Sequence, residues 1–177
     1  MNSGILSLPP GYTHVQHTFD PVFNTQSRIL ILGSFPSVKS RENQFYYGHP
    51  QNRFWKLMAR LLNVPVPQSI DEKKTMLLTH GLALWDVIAS CDIKGSSDSS
   101  IKNAVPADIS RILKTADIHT IIANGGTAFK LYSRYCEPLT GRPAILCPST
   151  SPANAAFSLE RLAESWEPVI KPVISGF

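Results

Sequence analysis

Four short apolar runs, each ending in or followed by glycine or polar residues, constrain the fold of this chain more than any other feature. The first, at 28–33, places Ile-Leu-Ile-Leu between Arg28 and Gly33. An unbroken run of branched side chains is typical of a strand buried on both faces of a parallel sheet. The runs at 81–87, 119–125 and 144–146 are predicted to be the other strands of the same sheet.

Stretches with helical spacing of apolar residues separate these runs. We expect helices over 52–62, 71–80, 107–115 and 127–136, and a final helix that runs from a Ser151 cap, with Pro152 in its first turn, to about Trp166. Alternating strands and helices predict an α/β fold, a three-layer αβα sandwich with a central, mainly parallel four-stranded sheet. Ligands of such folds bind at the carboxyl edge of the sheet.

The first 26 residues contain Pro9, Pro10, Gly11 and Pro21 and show no hydrophobic period. We therefore expect residues 1–26 to form a poorly regular arm packed on the body. The chain has 177 residues, of which 43% are hydrophobic. This length and composition favour one domain over 1–177 with its own core.

The charge balance and the cysteines narrow the class of protein. Lys and Arg outnumber Asp and Glu by 17 to 13, giving a net charge of +4, which favours a polyanionic partner such as nucleic acid. Cys91, Cys136 and Cys147 are widely spaced and form no CxxC pair, so neither a zinc site nor a disulfide framework is expected. No stretch predicts a signal peptide or a membrane span, and we expect a cytoplasmic protein.

Four polar segments follow or end predicted strands. They are 33–37 (Gly-Ser-Phe-Pro-Ser), 45–53 (Phe-Tyr-Tyr-Gly-His-Pro-Gln-Asn-Arg), Asp86, and 148–152 (Pro-Ser-Thr-Ser-Pro). Each is a weak signal by itself, and the first is compatible with a simple tight turn. The second indicates function more strongly, because three aromatics, a histidine and an asparagine are costly to keep in a loop without a role.

Taken in order, these segments resemble the uracil-DNA glycosylase superfamily, whose motifs are a Gly-x-(Asp or Asn)-Pro loop after the first strand and a (His or Asn)-Pro-Ser loop after the last. The stretches 33–37, 46–55, 84–88 and 148–155 are similar to its hypoxanthine-DNA glycosylase (DNA-deoxyinosine glycosylase) branch. The resemblance implies a DNA repair enzyme that flips a deaminated base, hypoxanthine in this branch, out of the helix and hydrolyses its N-glycosidic bond. It also implies a monomer with DNA as partner, and no metal or other cofactor.

The resemblance assigns base-binding roles to four residues. Tyr47 matches the stacking aromatic, and Asp86 stands where related enzymes place an asparagine that reads the base edge. A carboxylate acceptor suits the N1–H of hypoxanthine, although Asp86 is also compatible with a helix cap or an arginine partner. Backbone amides around Ser34 and Phe35 would stabilise the leaving base.

The catalytic assignment departs from the family pattern. Phe35 stands where most relatives carry a water-activating Asp or Asn, so the chemistry must come from elsewhere. The resemblance points to Asn52, whose amide would orient a water and support positive charge on the sugar, with His49 as a second polar candidate. A helix cap is the alternative for Asn52, and a structural hydrogen bond is the alternative for His49.

Hydroxyls and basic side chains near these motifs would contact the DNA backbone. The candidates are Ser37, Lys39, Arg41, Arg53, Ser149, Thr150 and Ser151. The absence of a lysine nucleophile from the matched motifs favours a monofunctional hydrolase.

Three other functions stay open. The first is a uracil or G·T/G·U mismatch glycosylase, because the His-Pro-x-Asn-Arg-Phe-Trp stretch is also similar to mismatch-specific enzymes. The second is a noncatalytic DNA-binding relative, which Phe35 favours. The third is a thiol hydrolase that uses a histidine and Cys147, the residue that replaces the leading His or Asn of the last motif.

Overall fold

The structure is a computed structural model that describes residues 7–175. Within this range the strands are β1 (Thr13–Gln16), β2 (Ile29–Gly33), β3 (Leu82–Asp86), β4 (Ile88–Ile93), β5 (Lys102–Pro106), β6 (Thr120–Asn124) and β7 (Ile145–Cys147). The α-helices are α1 (Val38–Asn43), α2 (Phe54–Leu62), α3 (Ile70–Thr79), α4 (Ser110–Thr115), α5 (Gly126–Tyr135), α6 (Glu137–Thr140) and α7 (Leu159–Ile174). No helix in this range is long and apolar enough to cross a membrane.

The central sheet has the order β3-β2-β6-β7, and all its neighbouring strands are parallel. Successive side chains of a strand point to opposite faces, and β2 divides its apolar residues accordingly. Ile29 and Ile31 pack with α2, α3 and α7, whereas Leu30 and Leu32 pack with α4, α5 and β4. The predicted αβα sandwich is confirmed, and each of the four predicted strands ends within one residue of its expected bounds.

A second sheet, antiparallel and of order β1-β4-β5, was not predicted. Residues 13–16 of the N-terminal arm pair with residues 90–93 of β4, so the expectation of an irregular arm is wrong there. These four residues are mostly exposed, and their pairing depends on β4 rather than on an apolar period of their own. The first six residues of the arm lie outside the described range.

The last helix was predicted at the wrong place. It begins at Leu159, and the Ser158 side chain caps it by accepting from the Arg161 backbone N–H at 3.2 Å. The Ser151 hydroxyl instead accepts from the Ala153 N–H inside an irregular loop. The Ser151-Pro152 pair therefore lies in a turn and not at a helix start. The sequence does not distinguish the two, because a serine hydroxyl accepts from a nearby backbone N–H in both.

Candidate active site

A cavity of about 530 Å³ lies at the carboxyl edge of the central sheet. It collects residues from the ends of β2, β3 and β6 and from the loop after β7, as expected for this fold. The sequence-predicted residues that line it are Ser34, Phe35, Ser37, Tyr47, His49, Asn52, Asp86, Ser149, Thr150 and Ser151. Residues 96–99 and Asn124 also line it and were not predicted.

Gly33 and Asp86 are register partners on neighbouring strands at the floor of this cavity. A Cβ added to Gly33 would lie 2.4 Å from Asp86 Oδ1 and 3.1 Å from the Tyr47 hydroxyl. Such a separation from a carboxylate oxygen is far inside van der Waals contact. Glycine is therefore required at position 33 so that the carboxylate and the phenol can approach one another.

The Asp86 carboxylate is buried and has a histidine as its partner. Its Oδ2 lies 2.8 Å from His17 Nε2, and the two side chains are 5% and 4% exposed. Oδ1, the other oxygen, faces Gly33 and the cavity. Within residues 7–175 the Asp86 side chain neither caps a helix nor pairs with an arginine, the two alternatives considered for it. The sequence carried no sign of His17, which lies 69 residues away.

Tyr47 has a backbone φ of 52°, and its ring packs against α2. It stacks on Phe54 with a centroid separation of 4.2 Å and an interplanar angle of 25°. Its buried hydroxyl hydrogen has no acceptor of normal geometry among the described residues, although the Asn124 side-chain amide lies close enough to the phenol oxygen to lower its pKa. Burial, reinforced by the Asp86 carboxylate, raises the pKa of this hydroxyl above its usual range, so it stays a donor.

Asn52 is held by two hydrogen bonds to its side-chain oxygen. Oδ1 accepts from the Phe54 backbone N–H and from the Thr150 hydroxyl, each at 2.9 Å. Because a backbone N–H can only donate, the accepting atom must be the oxygen. The Nδ2 group therefore remains for the cavity. Asn52 Oδ1 thus accepts from the first N–H of α2, which agrees in part with the capping alternative, although the N-cap position itself is Arg53. The oxygen is not available to a water.

Thr150 connects Asn52 to the end of β6. Its backbone N–H donates to Asn124 Oδ1 at 3.0 Å, and its hydroxyl accepts from Asn124 Nδ2 at 3.1 Å. Thr150 is fully buried. The prediction that it contacts DNA is therefore wrong, because its hydroxyl is used inside the protein and does not reach solvent.

His49 and Asp98 are titratable residues on the cavity wall. His49 Nδ1 accepts from the Gln51 N–H at 3.1 Å, which places the proton of a neutral ring on Nε2. Asp98 Oδ2 accepts from the Ser34 hydroxyl at 2.9 Å. Although much of Asp98 is solvent-exposed, the surrounding wall raises the pKa of its carboxyl by desolvation, and the charge of Asp86 adds to this effect.

Asp98 lies on the connection between β4 and β5, which α1 holds in place. The Val38 N–H donates to the Ser96 hydroxyl at 2.9 Å, and Arg41 donates to the Gly95 carbonyl at 2.8 Å. The sequence marked this connection only as a polar loop. Recognising Asp98 required knowledge of the antiparallel sheet that places the loop over the cavity.

The loop after β7 is shaped by a close backbone approach. Gly125 has a φ of +101°, and an added Cβ would lie 2.9 Å from Ser149 Cβ. Ser149 Oγ accepts from the Ser151 N–H at 3.1 Å. Ser149 and Ser151 keep hydroxyl hydrogens at the cavity, which is compatible with the predicted phosphate contacts.

Arg53 was predicted to contact DNA, and the structure gives its side chain a role inside the protein. Its guanidinium group is partly buried and donates to backbone carbonyls of the loop over 150–157. The accepting residues are Thr150 at 3.4 Å, Ser151 at 2.9 Å, Asn154 at 3.1 Å and Phe157. Arg53 therefore holds this loop with four of its five N–H donors.

The other basic candidates lie on α1 and do not line the cavity. Lys39 is exposed and forms an ion pair with Glu42 at 3.3 Å. Arg41 lies over the Phe35 ring at 5.8 Å, and its buried Nη1 has no hydrogen-bond partner among the described residues. Ser37 caps this helix by accepting from the Ser40 N–H.

Cys147 does not behave as a nucleophile. It is buried in the core beneath the sheet edge, and burial raises the pKa of its thiol to about 12. It is not among the residues that line the cavity. The geometry therefore contradicts a thiol hydrolase. No cluster of three or more His, Cys, Asp or Glu residues suited to a metal ion occurs within residues 7–175.

Known proteins resemble this chain over most of its length. The model of the Uracil DNA glycosylase superfamily matches residues 21–169. A hypoxanthine DNA glycosylase from Methanosarcina acetivorans is 34% identical over 161 residues, covering 89% of this chain and 99% of the relative. A protein of the same name from Methanosarcina barkeri is 37% identical over 87 residues, covering 48% of this chain and 54% of the relative.

A solved structure shows the same architecture. The solution NMR structure of a candidate uracil DNA glycosylase from Methanosarcina acetivorans superposes with a TM-score of 0.75 at 32% sequence identity. The match covers 88% of this chain and 96% of the other. The likeness therefore extends over most of both chains.

Proposed function

The chain belongs to the uracil DNA glycosylase superfamily, and we propose that it is a DNA glycosylase that hydrolyses the N-glycosidic bond of hypoxanthine in deoxyinosine-containing DNA. Two relatives named hypoxanthine DNA glycosylase support this substrate. A cavity of about 530 Å³ lies within the usual range for small-molecule sites. A base inside a duplex is inaccessible, so the nucleotide must be flipped into the cavity.

The observation that carries this proposal is a paired acceptor and donor on the cavity floor. Asp86 Oδ1 is an acceptor, and the buried Tyr47 hydroxyl is a donor without a partner among the described residues. A buried donor left unsatisfied is costly unless a ligand completes it. Hypoxanthine presents an N1–H donor beside an O6 acceptor, which complements this pair.

The same pair explains discrimination against adenine and cytosine. Adenine presents an N1 acceptor beside an amino donor, so both polar contacts would be reversed and unsatisfied. Cytosine has the same reversed order. Guanine shares the edge of hypoxanthine but sits in a stronger base pair, and the cost of flipping is lowest for mispaired or damaged bases.

The wall of the cavity supplies the hydrolytic groups. Cleavage breaks the bond between C1′ and N9, leaves positive charge on the sugar and negative charge on the base, and adds water at C1′. Asn52 Nδ2 donates to the oxygen of the attacking water, since its own oxygen is fixed by Phe54 and Thr150. Asp98 accepts the proton that this water releases.

A uracil glycosylase is the second candidate. Uracil carries an N3–H beside O4, so the Asp86 and Tyr47 pair matches its edge as well, and the superposed solved structure is described as a candidate uracil enzyme. The size of the base and its stacking against the cavity wall then decide whether the purine or the pyrimidine is the preferred substrate.

The direct test is alkaline cleavage of labelled duplexes that contain one deoxyinosine, one deoxyuridine or no damage, after incubation with the protein in EDTA. We expect abasic sites at deoxyinosine. Cleavage at deoxyuridine alone would favour the second candidate. No abasic site in either duplex would favour the noncatalytic relative.

A further inference from the structure

We propose that His17 is a positioning residue that selects the deaminated base by holding the Asp86 carboxylate. By donating from Nε2 to Oδ2, it leaves Oδ1 as the oxygen presented to the base edge. This inference rests on the proposed function. It adds a residue of the N-terminal arm to a site that otherwise comes from the sheet edge and its loops.

The first support is the enclosure of the pair. The His17 side chain is 4% exposed, and its ring is surrounded by Phe19 at 4.3 Å, Tyr46 at 5.9 Å and Phe35 at 6.3 Å between centroids. A ring packed on several sides has little freedom to turn. The hydrogen bond therefore fixes the plane of the carboxylate as well as its partner.

The second support is the way in which the arm is anchored on both sides of His17. The His17 backbone N–H donates to the Ala89 carbonyl at 2.8 Å, directly after the β1–β4 pairing. Five residues later, Val22 exchanges backbone hydrogen bonds with Leu84 of β3, at 2.8 and 2.9 Å. The arm thus clamps β3 two residues before Asp86.

The third support is the chemistry of a buried carboxylate. Without the His17 donor, Oδ2 would lie buried without its only recorded hydrogen-bond partner among the described residues. Such a group turns toward another donor or takes up a proton. A protonated or rotated carboxyl no longer offers a fixed acceptor to N1–H, so the preference for the deaminated edge would weaken.

The same arm provides a matched control. His14 Nδ1 lies 2.8 Å from Asp92 Oδ1, so it forms the same kind of pair across β1 and β4. The His14 side chain is 54% exposed, and neither residue lines the cavity. Removing the His14–Asp92 pair therefore shows the effect of losing a histidine–aspartate pair away from the cavity, for comparison with loss of the His17–Asp86 pair at the cavity.

The experiment compares His17→Leu, His17→Gln and His14→Leu. Leucine fills most of the space but cannot donate, whereas the glutamine amide can place a donor where Nε2 lies. Single-turnover release of hypoxanthine is measured with melting temperature and the fraction of folded protein. We expect His17→Leu to lower the rate about 10- to 100-fold, the scale of a small misplacement in an active site. His17→Gln should recover most of it, and His14→Leu should leave it unchanged.

A double-variant cycle separates positioning from a general structural role. If His17 acts through the carboxylate, adding His17→Leu to Asp86→Asn should cause no further loss of rate in the folded fraction. This comparison also applies if His17→Leu alone folds poorly, because the double variant contains no buried charge in need of a partner.

The outcomes are distinct. Equal losses from His17→Leu in both backgrounds, or a His17→Gln rate as low as that of His17→Leu, would show a purely structural histidine. A wild-type rate for His17→Leu in an active enzyme would refute the role of His17 and leave the function standing. Failure of the wild-type protein to release hypoxanthine would refute the proposed function and this inference with it.

Discussion

At the scale of single residues, the site depends on where atoms are missing as much as on where they are present. Gly33 has no side chain, and the space that its Cβ would occupy is used by Asp86 Oδ1 and the Tyr47 hydroxyl. The sequence marked position 33 only as the end of a strand. The reason for glycine there is a contact with a residue 53 positions away, which no local pattern reveals.

Gly33→Ala is expected to reduce base excision on the order of 100-fold, because the carboxylate must move to relieve a 2.4 Å contact. Single-turnover release of hypoxanthine measures this effect. Gly126→Ala is the matched control, since an added Cβ at that helical position meets nothing within 4 Å. It should keep the rate and raise stability by about 0.4–1 kcal/mol, because alanine restricts the unfolded chain more than glycine does. Similar rates for both variants would contradict the proposed floor of the cavity.

The two polar atoms of the Asn52 side chain have different proposed roles. Oδ1 holds the start of α2 and the Thr150 hydroxyl, whereas Nδ2 would donate to the attacking water. Asn52→Asp keeps an oxygen acceptor for the Phe54 N–H and the Thr150 hydroxyl but removes the Nδ2 donor. We expect its melting temperature to stay near that of the wild-type protein and its single-turnover rate to fall by about 10² or more. Asn52→Ala should lose the rate and also about 1 kcal/mol of stability. Full activity of Asn52→Asp would remove Asn52 from the mechanism.

Replacing Asp98 is predicted to change the stability of the protein by an amount that depends on pH. Desolvation raises the pKa of its carboxyl in the folded state, so its favourable contribution to stability is present at low pH and is lost as pH rises through that pKa. Asp98→Asn keeps an acceptor for the Ser34 hydroxyl. The variant should be slightly more stable than the wild-type protein at pH 7, and this advantage should vanish below about pH 4. Urea midpoints at several pH values measure it, and excision should fall.

Asp92 is the control for that pH series. Hydrogen bonds from Asn103 and His14 lower the pKa of its carboxyl, so its contribution is present at neutral pH and is lost as pH falls through the folded value. Asp92→Asn should therefore destabilise the protein at pH 7 and converge with the wild-type protein in acid. The same sign for both variants would show that at least one of the two carboxyls does not follow its surroundings.

At the scale of elements, the strands and most helices could be predicted because their apolar periods are local. The run before Gly33 and the pattern from Phe54 to Leu62 identify β2 and α2 directly. The antiparallel sheet could not be predicted in the same way. The β1 residues and those of β5 are mainly exposed, and their order comes from hydrogen bonds to β4, which the local sequence does not encode.

Arg53 shows how one side chain fixes an element that has no regular structure. Its donors bind carbonyls across 150–157, so Arg53→Met should destabilise the protein by several times the roughly 1 kcal/mol of a single hydrogen bond. Excision should fall with the loss of loop order, and the salt dependence of DNA binding should not change.

Lys39→Met, at an exposed position on α1, is the control and should keep the stability of the wild-type protein. Any loss of DNA affinity there would come with a smaller salt slope. A reduced salt slope for Arg53→Met would restore it as a phosphate ligand.

At the scale of the whole molecule, the parallel sheet brings together residues that the sequence separates by more than 100 positions. The carboxyl ends of β2, β3, β6 and β7 meet at one edge, which is why the segments around Ser34, Asp86 and Ser149 could be assigned to one site from the sequence. The contributions of His17 and Asp98 could not be assigned. They arrive through the arm and the β4–β5 connection, whose positions are set by the second sheet.

The reactivity of the three cysteine thiols during unfolding reports whether the two hydrophobic cores unfold together. Cys91 and Cys136 lie in the core on one face of the central sheet and Cys147 in the core on the other. Burial raises the pKa of their thiols to about 11, 11 and 12 respectively. At pH 8 about 10⁻³ or less of each is thiolate, the form that reacts with alkylating reagents.

We therefore expect no alkylation of the native protein by iodoacetamide at pH 8. In urea, all three thiols should become reactive together at the unfolding midpoint, as a two-state transition requires. Mass spectrometry of labelled peptides at each urea concentration measures this, with circular dichroism as the independent probe of unfolding. Labelling of Cys91 and Cys136 before Cys147 would show that the face carrying the second sheet opens first. Selective labelling of native Cys147, together with loss of excision in Cys147→Ala, would restore this thiol as a participant in the chemistry.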